Sequence, residues 1–280
     1  MQQSTVICKN CGNQFLGKFC NRCGEKVYGQ KDKSILILAE EAFHFITHFN
    51  GSFFTTLKTF FTRPGKISSD YVIGIRKKYL KPVSFFLLIV ITYLFFPRFP
   101  GLNMKFSSYV SEEYNFYWYA APIARQKIKT HTLTGKELGM AYDNKSPAFA
   151  KICLLLLIPL SAFVLALLFL TSRKYFFDHF ILASEIMSFY IFAHFLFLPF
   201  LSFVTDKIAP VYNYLFNDDS GLLLSIFGIF GIFIAIAFRN FYTQKVWLSI
   251  IKAVVFLFVF AAGIRYVYNA ILYYLVMLFV

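Results

Sequence analysis

Charge is scarce in this chain: 15% of its 280 residues are Asp, Glu, Lys or Arg, against roughly 25% in a soluble domain. Acids are scarcer still, 14 against 28 bases, leaving a formal net charge of +14. An ordinary water-soluble globule is excluded by the first shortage, and the second points to anionic partners. No internal repeat and no low-complexity tract is present. The common enzyme signatures are missing too. There is no phosphate-cradling glycine loop, no His-Glu-x-x-His pair, and no Ser or Cys nucleophile with recognisable neighbours. Cysteines number only five, so no disulfide framework is implied. The stretch from Met1 to Ile7 lacks the charged start, apolar core and cleavage site of a secretory signal. The expectation is that the thiols face a reducing cytosol.

What the chain has in abundance is oil: 58% of its residues are hydrophobic and 21% aromatic. Apolar runs occur at about Lys81 to Phe96, Ile152 to Leu170, Phe180 to Val204, Leu222 to Phe238 and Val246 onward, each to be compared with the ~20 residues a spanning helix needs. The expected fold class is an all-α polytopic membrane protein with about five transmembrane helices and a small N-terminal zinc ribbon. Residues 1–30 would form the ribbon, 31–80 an amphipathic interfacial region, and 81–280 a transmembrane helical domain with an external loop at 98–150. With the N-terminus inside, cytosolic segments hold 17 of the bases and outer loops nine, the asymmetry expected of an N-in topology. The last run, Val246 to Val280, is too long for one crossing. It predicts either a break near Gly263, Ile264 and Arg265 with re-entry, or a projecting end that docks its apolar residues elsewhere.

The sharpest motif is Cys8-x-x-Cys11 followed by Cys20-x-x-Cys23. Four thiolates at this spacing can close a tetrahedral shell around a structural Zn²⁺, and Gly12 and Gly24 permit the tight turns that follow each pair. A closed four-sulfur shell leaves no position for substrate, so the site reads as structural. Zinc modules also bind nucleic acid, but here only Phe15 and Phe19 are available for stacking, which makes protein the expected partner.

Thirteen bases precede Pro82 against five acids. Arg63, Arg76, Lys77, Lys78 and Lys81 are the candidate contacts for anionic lipid headgroups, with Tyr71 and Tyr79 as interfacial anchors. Glu41, His44 and His48 share one helical face, and with Asp178 and His179 they make a candidate second metal site. The plainer alternative is an amphipathic interfacial helix. Charges within the apolar runs, Glu185, Lys252 and Arg265, together with His194, are costly in a bilayer and so mark packing or a pathway. Glu185 and Lys252 fall at matched depth, which predicts an ion pair between them.

The cysteine module, "THF", Arg63-Pro64-Gly65, Tyr71, Gly74, Arg76, Tyr79 and Pro82, then Tyr175, Asp178 and His179 in "YFFDHF", resemble a bacterial family of zinc-ribbon multi-pass membrane proteins defined only as a domain of unknown function. The resemblance covers most of the chain and is most specific in the first 90 residues. It implies an inner-membrane protein and assigns no activity. Where relatives often carry a histidine soon after the Asp-His pair, this chain has Glu185 and Met187.

The functional expectation is a non-enzymatic inner-membrane interaction or assembly protein, an adaptor or accessory subunit, with the zinc module in the cytosol. Anionic lipid and a protein of the cell envelope would be its partners. Two alternatives stand beside it: a small transporter or lipid-handling protein using Glu185, His194 or Arg265, and a metal-dependent membrane enzyme using the histidine cluster.

Overall fold

A computed structural model describes residues 5–27, 52–95, 102–112, 116–131, 134–172, 174–197 and 226–280. It is mostly helical. Strands β1 (Val6–Ile7) and β2 (Gln14–Phe15) pair antiparallel near the N-terminus. The helices are α1 (Ser52–Thr62), α2 (Lys66–Ile73), α3 (Pro82–Phe95), α4 (Phe106–Val110), α5 (Tyr117–His131), α6 (Gly135–Cys153), α7 (Leu157–Leu168), α8 (Phe176–Ile191), α9 (Gly231–Tyr242), α10 (Val246–Ala262) and α11 (Asn269–Phe279).

Three helical runs are long and apolar enough to cross a membrane: Gly135–Leu168, Phe176–Phe197 and Val246–Phe279; Pro82–Phe95 and Gly228–Tyr242 are apolar but shorter. Among the described residues, therefore, three of the five expected spans reach crossing length. Pro82 opens α3 because a first-turn proline loses no helical hydrogen bond. Helix α10 leaves Ile250, Ile251, Val254 and Val255 exposed, an apolar surface of the kind a membrane-crossing helix can turn to hydrocarbon.

The chain divides into two compact units, residues 1–95 with 161–257, and residues 96–160 with 258–280. In the first, Phe60 of α1 is fully buried and its ring meets those of Phe85 on α3, Phe189 on α8 and Phe233 on α9, at centroid distances of 4.9, 6.0 and 5.4 Å. Four helices thus share one aromatic contact. Such rings favour the tilted and edge-on geometries seen here because their faces are negative and their edges positive.

The second unit is built on tyrosine. Tyr109, Tyr142 and Tyr273 are fully buried and lie within 4.9 to 5.8 Å of one another, centroid to centroid. The Tyr273 hydroxyl donates to the Ala120 carbonyl at 2.8 Å, and that of Tyr268 to the Ala150 carbonyl at 3.0 Å. Helix α6 begins with a reciprocal cap: Thr134 accepts from the Glu137 N–H while the Glu137 carboxylate accepts from that of Thr134. The long C-terminal run neither breaks nor turns back. It passes through a π-helical stretch at Gly263–Tyr268 and resumes as α11, which buries Asn269, Leu272, Tyr273, Val276 and Met277. These residues recur at i, i+3, i+4, i+7 and i+8, one stripe of a helix. Helix α6 receives that stripe of α11, while Ile271, Tyr274, Leu278 and Phe279 on the rest of the helix stay exposed.

Candidate metal centre and the helix beside it

Two short pseudo-equivalent turns make the N-terminal module. In the first, the Gly12 N–H bonds the Cys8 carbonyl at 2.8 Å and the Cys8 N–H bonds the Asn13 carbonyl at 2.8 Å; in the second, Gly24 bonds Cys20 at 2.7 Å and Cys20 bonds Glu25 at 2.8 Å. Gly12 and Gly24 have φ of 73° and 67°, left-handed values that a side chain rarely tolerates. The turns bring the four sulfurs within 4.8 Å of one another. Cys8 and Cys23 Sγ are 3.5 Å apart and Cys11 and Cys20 Sγ 3.7 Å. A tetrahedron with metal–sulfur bonds of ~2.3 Å has an edge of about 3.8 Å. The four cysteines therefore fit a single metal ion, and among the described residues no other cluster of this kind is present.

The thiols are electrostatically uneven. Although a backbone N–H near Asn13 favours the Cys11 thiolate, burial and the three neighbouring sulfurs push this group up to about 12. For Cys20, burial opposes ionisation, but backbone N–H groups at Cys23 and Arg22 and the adjacent thiols overcome it and bring the group down to about 6. Cys23 is lowered in the same manner, against its burial. Cys11 is thus pushed up while Cys20 and Cys23 are brought down, because hydrogen bonds to a thiolate favour it on one sulfur at the expense of its neighbour.

Asn13 and Glu25 occupy the same backbone position in the two turns but use their side chains differently. Asn13 turns inward to Asn21, at 2.7 Å. Glu25 instead reaches the 74–81 loop, where its buried carboxylate accepts from the N–H groups of Lys77 at 2.9 Å and Arg76 at 3.3 Å. Beside it, the Lys9 ammonium donates to the Ile73 carbonyl at 2.8 Å. Ile73 ends α2, so Lys9 places a positive charge on a helix C-terminus that carries partial negative charge.

The other end of α2 is treated in kind. Arg63-Pro64-Gly65 forms the turn before it, and Gly65, with φ of 79°, provides no side-chain cap. The cap comes from α8: the Glu185 carboxylate accepts from the N–H groups of Gly65 at 2.8 Å and Ser68 at 2.9 Å and from the Ser68 hydroxyl. From α9, the Asn240 amide donates to the Pro64 carbonyl at 2.8 Å. Space is as restrictive as angle, since a Cβ on Gly65 would lie 2.5 Å from the Ala237 carbonyl oxygen. Helix α2 is thus held at its N-terminus by a carboxylate from a candidate membrane span and at its C-terminus by an ammonium from the cysteine module.

Several expected sites resolve differently. Glu185 bonds α2 and not Lys252, whose ammonium sits 4.0 Å from the centroid of the Phe169 ring; equal depth along two helices does not make them face each other. Arg76 is 5% exposed, its guanidinium 4.4 Å from the Tyr71 ring centroid and its Nε bonded to the Tyr71 carbonyl. Tyr71 and Tyr79 are buried as well, so these three pack in the protein and do not project as a headgroup contact. Arg63, Lys77 and Lys78 are exposed and Lys81 is half-buried. Glu41, His44 and His48 lie outside the described residues. Asp178 caps its own helix by accepting from the Tyr175 N–H at 3.0 Å, and His179 Nδ1 lies 2.6 Å from the Tyr242 hydroxyl. "YFFDHF" is accounted for by a helix start and a contact between helices. His194 donates from Nδ1 to the Tyr190 carbonyl at 2.9 Å, and its buried Nε2 has no hydrogen-bond partner among the described residues. Arg265 lies 5.9 Å from the centre of the Phe116 ring.

Glu25, Lys9 and Asn240 were not singled out by motif, because each addresses a backbone group that has no letter in the sequence. No curated protein and no solved structure matches the chain. The profile of a family described as "Protein of unknown function (DUF3667)" matches residues 50–94, the segment holding α1, α2 with both of its anchored ends, and all but the last residue of α3.

Proposed function

We propose that this chain is a non-enzymatic interaction protein of the bacterial inner membrane, whose cytosolic cysteine module binds structural zinc and presents a protein-docking face. The observation that carries the reading is the distribution of apolar side chains on the module. Phe15 is buried against Cys8 and Cys20, yet Ile7, Leu16, Phe19 and Val27 are exposed, Phe19 by 61% and Leu16 by 58%. So small a module has little apolar material to spare, and leaving four large side chains outside costs solubility unless something covers them. Zinc suits the all-sulfur shell, which needs a soft, redox-inert ion.

Seating supports the same reading. An adaptor must hold its docking face in a fixed position, and Lys9 ties the module to the helix that Glu185 ties to α8, while Glu25 ties it to the loop that follows that helix. Exposed Arg63, Lys77 and Lys78 add positive charge beside it, suited to anionic headgroups. The test is affinity purification from native membranes in mild detergent, comparing wild type with Leu16→Ser/Phe19→Ser, which leaves all four cysteines in place. The reading expects a stoichiometric protein that is lost in the variant while metal content is unchanged. If wild type purifies alone, or the variant retains the same protein, the adaptor reading fails.

A further inference from the structure

The hairpin of α9 and α10 carries a groove of about 210 Å³ lined by Ile232, Ala235, Ile236, Arg239, Val246 and Ile250. On α9, positions 232, 235, 236 and 239 fall at i, i+3, i+4 and i+7 and so form one stripe; on α10, 246 and 250 are one turn apart. Every lining residue but Arg239 is apolar, and Ala235 opens the floor. Ile232, Ile236, Val246 and Ile250 are exposed, so the groove is open to whatever surrounds these helices. At helical rise, Arg239 stands roughly 10 Å along the axis from Ile232. The guanidinium lies one turn before the end of α9, at the same end as Lys245 and the exposed Trp247, the combination of base and aromatic found at the headgroup level of a bilayer.

We infer that this groove is a binding site for one anionic phospholipid, with an acyl chain along Ile232, Ile236, Val246 and Ile250 and the phosphate on Arg239. Charge complementarity supports that occupant. The described acids of this unit are engaged elsewhere: Glu25 with Arg76 and Lys77, Asp70 with Lys66 at 2.8 Å, Asp178 with Tyr175, and Glu185 with α2. Among the described residues no carboxylate is paired with Arg239, whose exposed guanidinium is open to an anion. Guanidinium binds phosphate through paired N–H groups, and the apolar stripe leading away from it accepts hydrocarbon. A soluble anion would use the guanidinium and leave the stripe empty. The site is independent of the cysteine module and of the function proposed for it.

The test uses the full chain in detergent micelles, titrated with dioleoyl phosphatidylglycerol or dioleoyl phosphatidylcholine and read by native mass spectrometry. Wild type should bind one phosphatidylglycerol more tightly than any phosphatidylcholine. Arg239→Gln should weaken that first phosphatidylglycerol about fivefold, the worth of one base near anionic lipid, and leave phosphatidylcholine unchanged. Ala235→Phe, which fills the floor, should weaken both lipids; should it fail to fold, Ile236→Trp at an exposed position makes the same test. Unchanged binding of the first phosphatidylglycerol in folded Arg239→Gln overturns the assignment. So does millimolar inorganic phosphate displacing that lipid in full, since the site would then hold an anion only.

Discussion

At the residue scale, two carboxylates do most of the connecting, and both act on backbone N–H groups. Glu185 is 1% exposed and is held by two backbone N–H groups and a hydroxyl. Glu185→Gln would keep one accepting oxygen but turn its NH₂ toward the donors on the other side, leaving a buried N–H without an acceptor. We expect a loss of about 3 kcal/mol, in the range for breaking a buried charged contact, read as a lowered unfolding midpoint in detergent. Lys252→Glu combined with Glu185→Lys should not rescue it, because the two side chains have different partners. The cysteines give a second prediction. Cys11, pushed up to about 12, is protonated at neutral pH without metal, and a thiol must lose its proton to become a ligand. Metal binding near pH 7 should therefore release protons, and affinity should rise with pH. A metal titration in weak buffer with a pH indicator would check the sign; proton uptake would contradict it.

At the element scale, α2 is the centre of the first unit, although it has only eight residues. So short a helix is marginal by itself, and burial of Ile67, Tyr71 and Val72 is supplemented by charges applied at both ends. Gly65 permits this, since its left-handed φ and its contact with α9 both exclude a side chain. Gly65→Ala should cost about 2 kcal/mol or more, combining backbone strain with overpacking, and thermal unfolding would measure it. The aromatic contact offers a comparison: Phe60→Ala, which removes a ring shared by α1, α3, α8 and α9, should cost about 3 to 5 kcal/mol. Much of this scale was legible in the sequence. The cysteine spacing pointed to the cluster, and hydropathy located the long apolar helices because a helix of crossing length needs an unbroken apolar run. Glu185 was legible as important but not in its pairing. Periodicity gives the depth of a residue along its helix, whereas the neighbouring helix it faces depends on packing. Glu25 was legible only as a charge, because a main-chain N–H leaves no mark in composition.

At the scale of the whole molecule, the matched segment at residues 50–94 joins the four-cysteine module to a candidate membrane span through a helix anchored at both ends. The segment expected as a loop contributes helices to a second unit that covers one face of the apolar C-terminal helix, an outcome that hydropathy alone left open between re-entry and docking. The central claim is that the four-cysteine module is seated on the 74–81 loop through Glu25. Hydrogen exchange of the full chain in detergent, with and without a chelator, tests it most directly. Chelation should speed exchange at the Arg76 and Lys77 amides, and Glu25→Ala should do so by about 30-fold, as expected for losing ~2 kcal/mol of charged hydrogen bonding, while the metal stays bound. If those two amides exchange at the same rate in metal-bound, chelated and Glu25→Ala protein, the module is not seated there and the account is wrong.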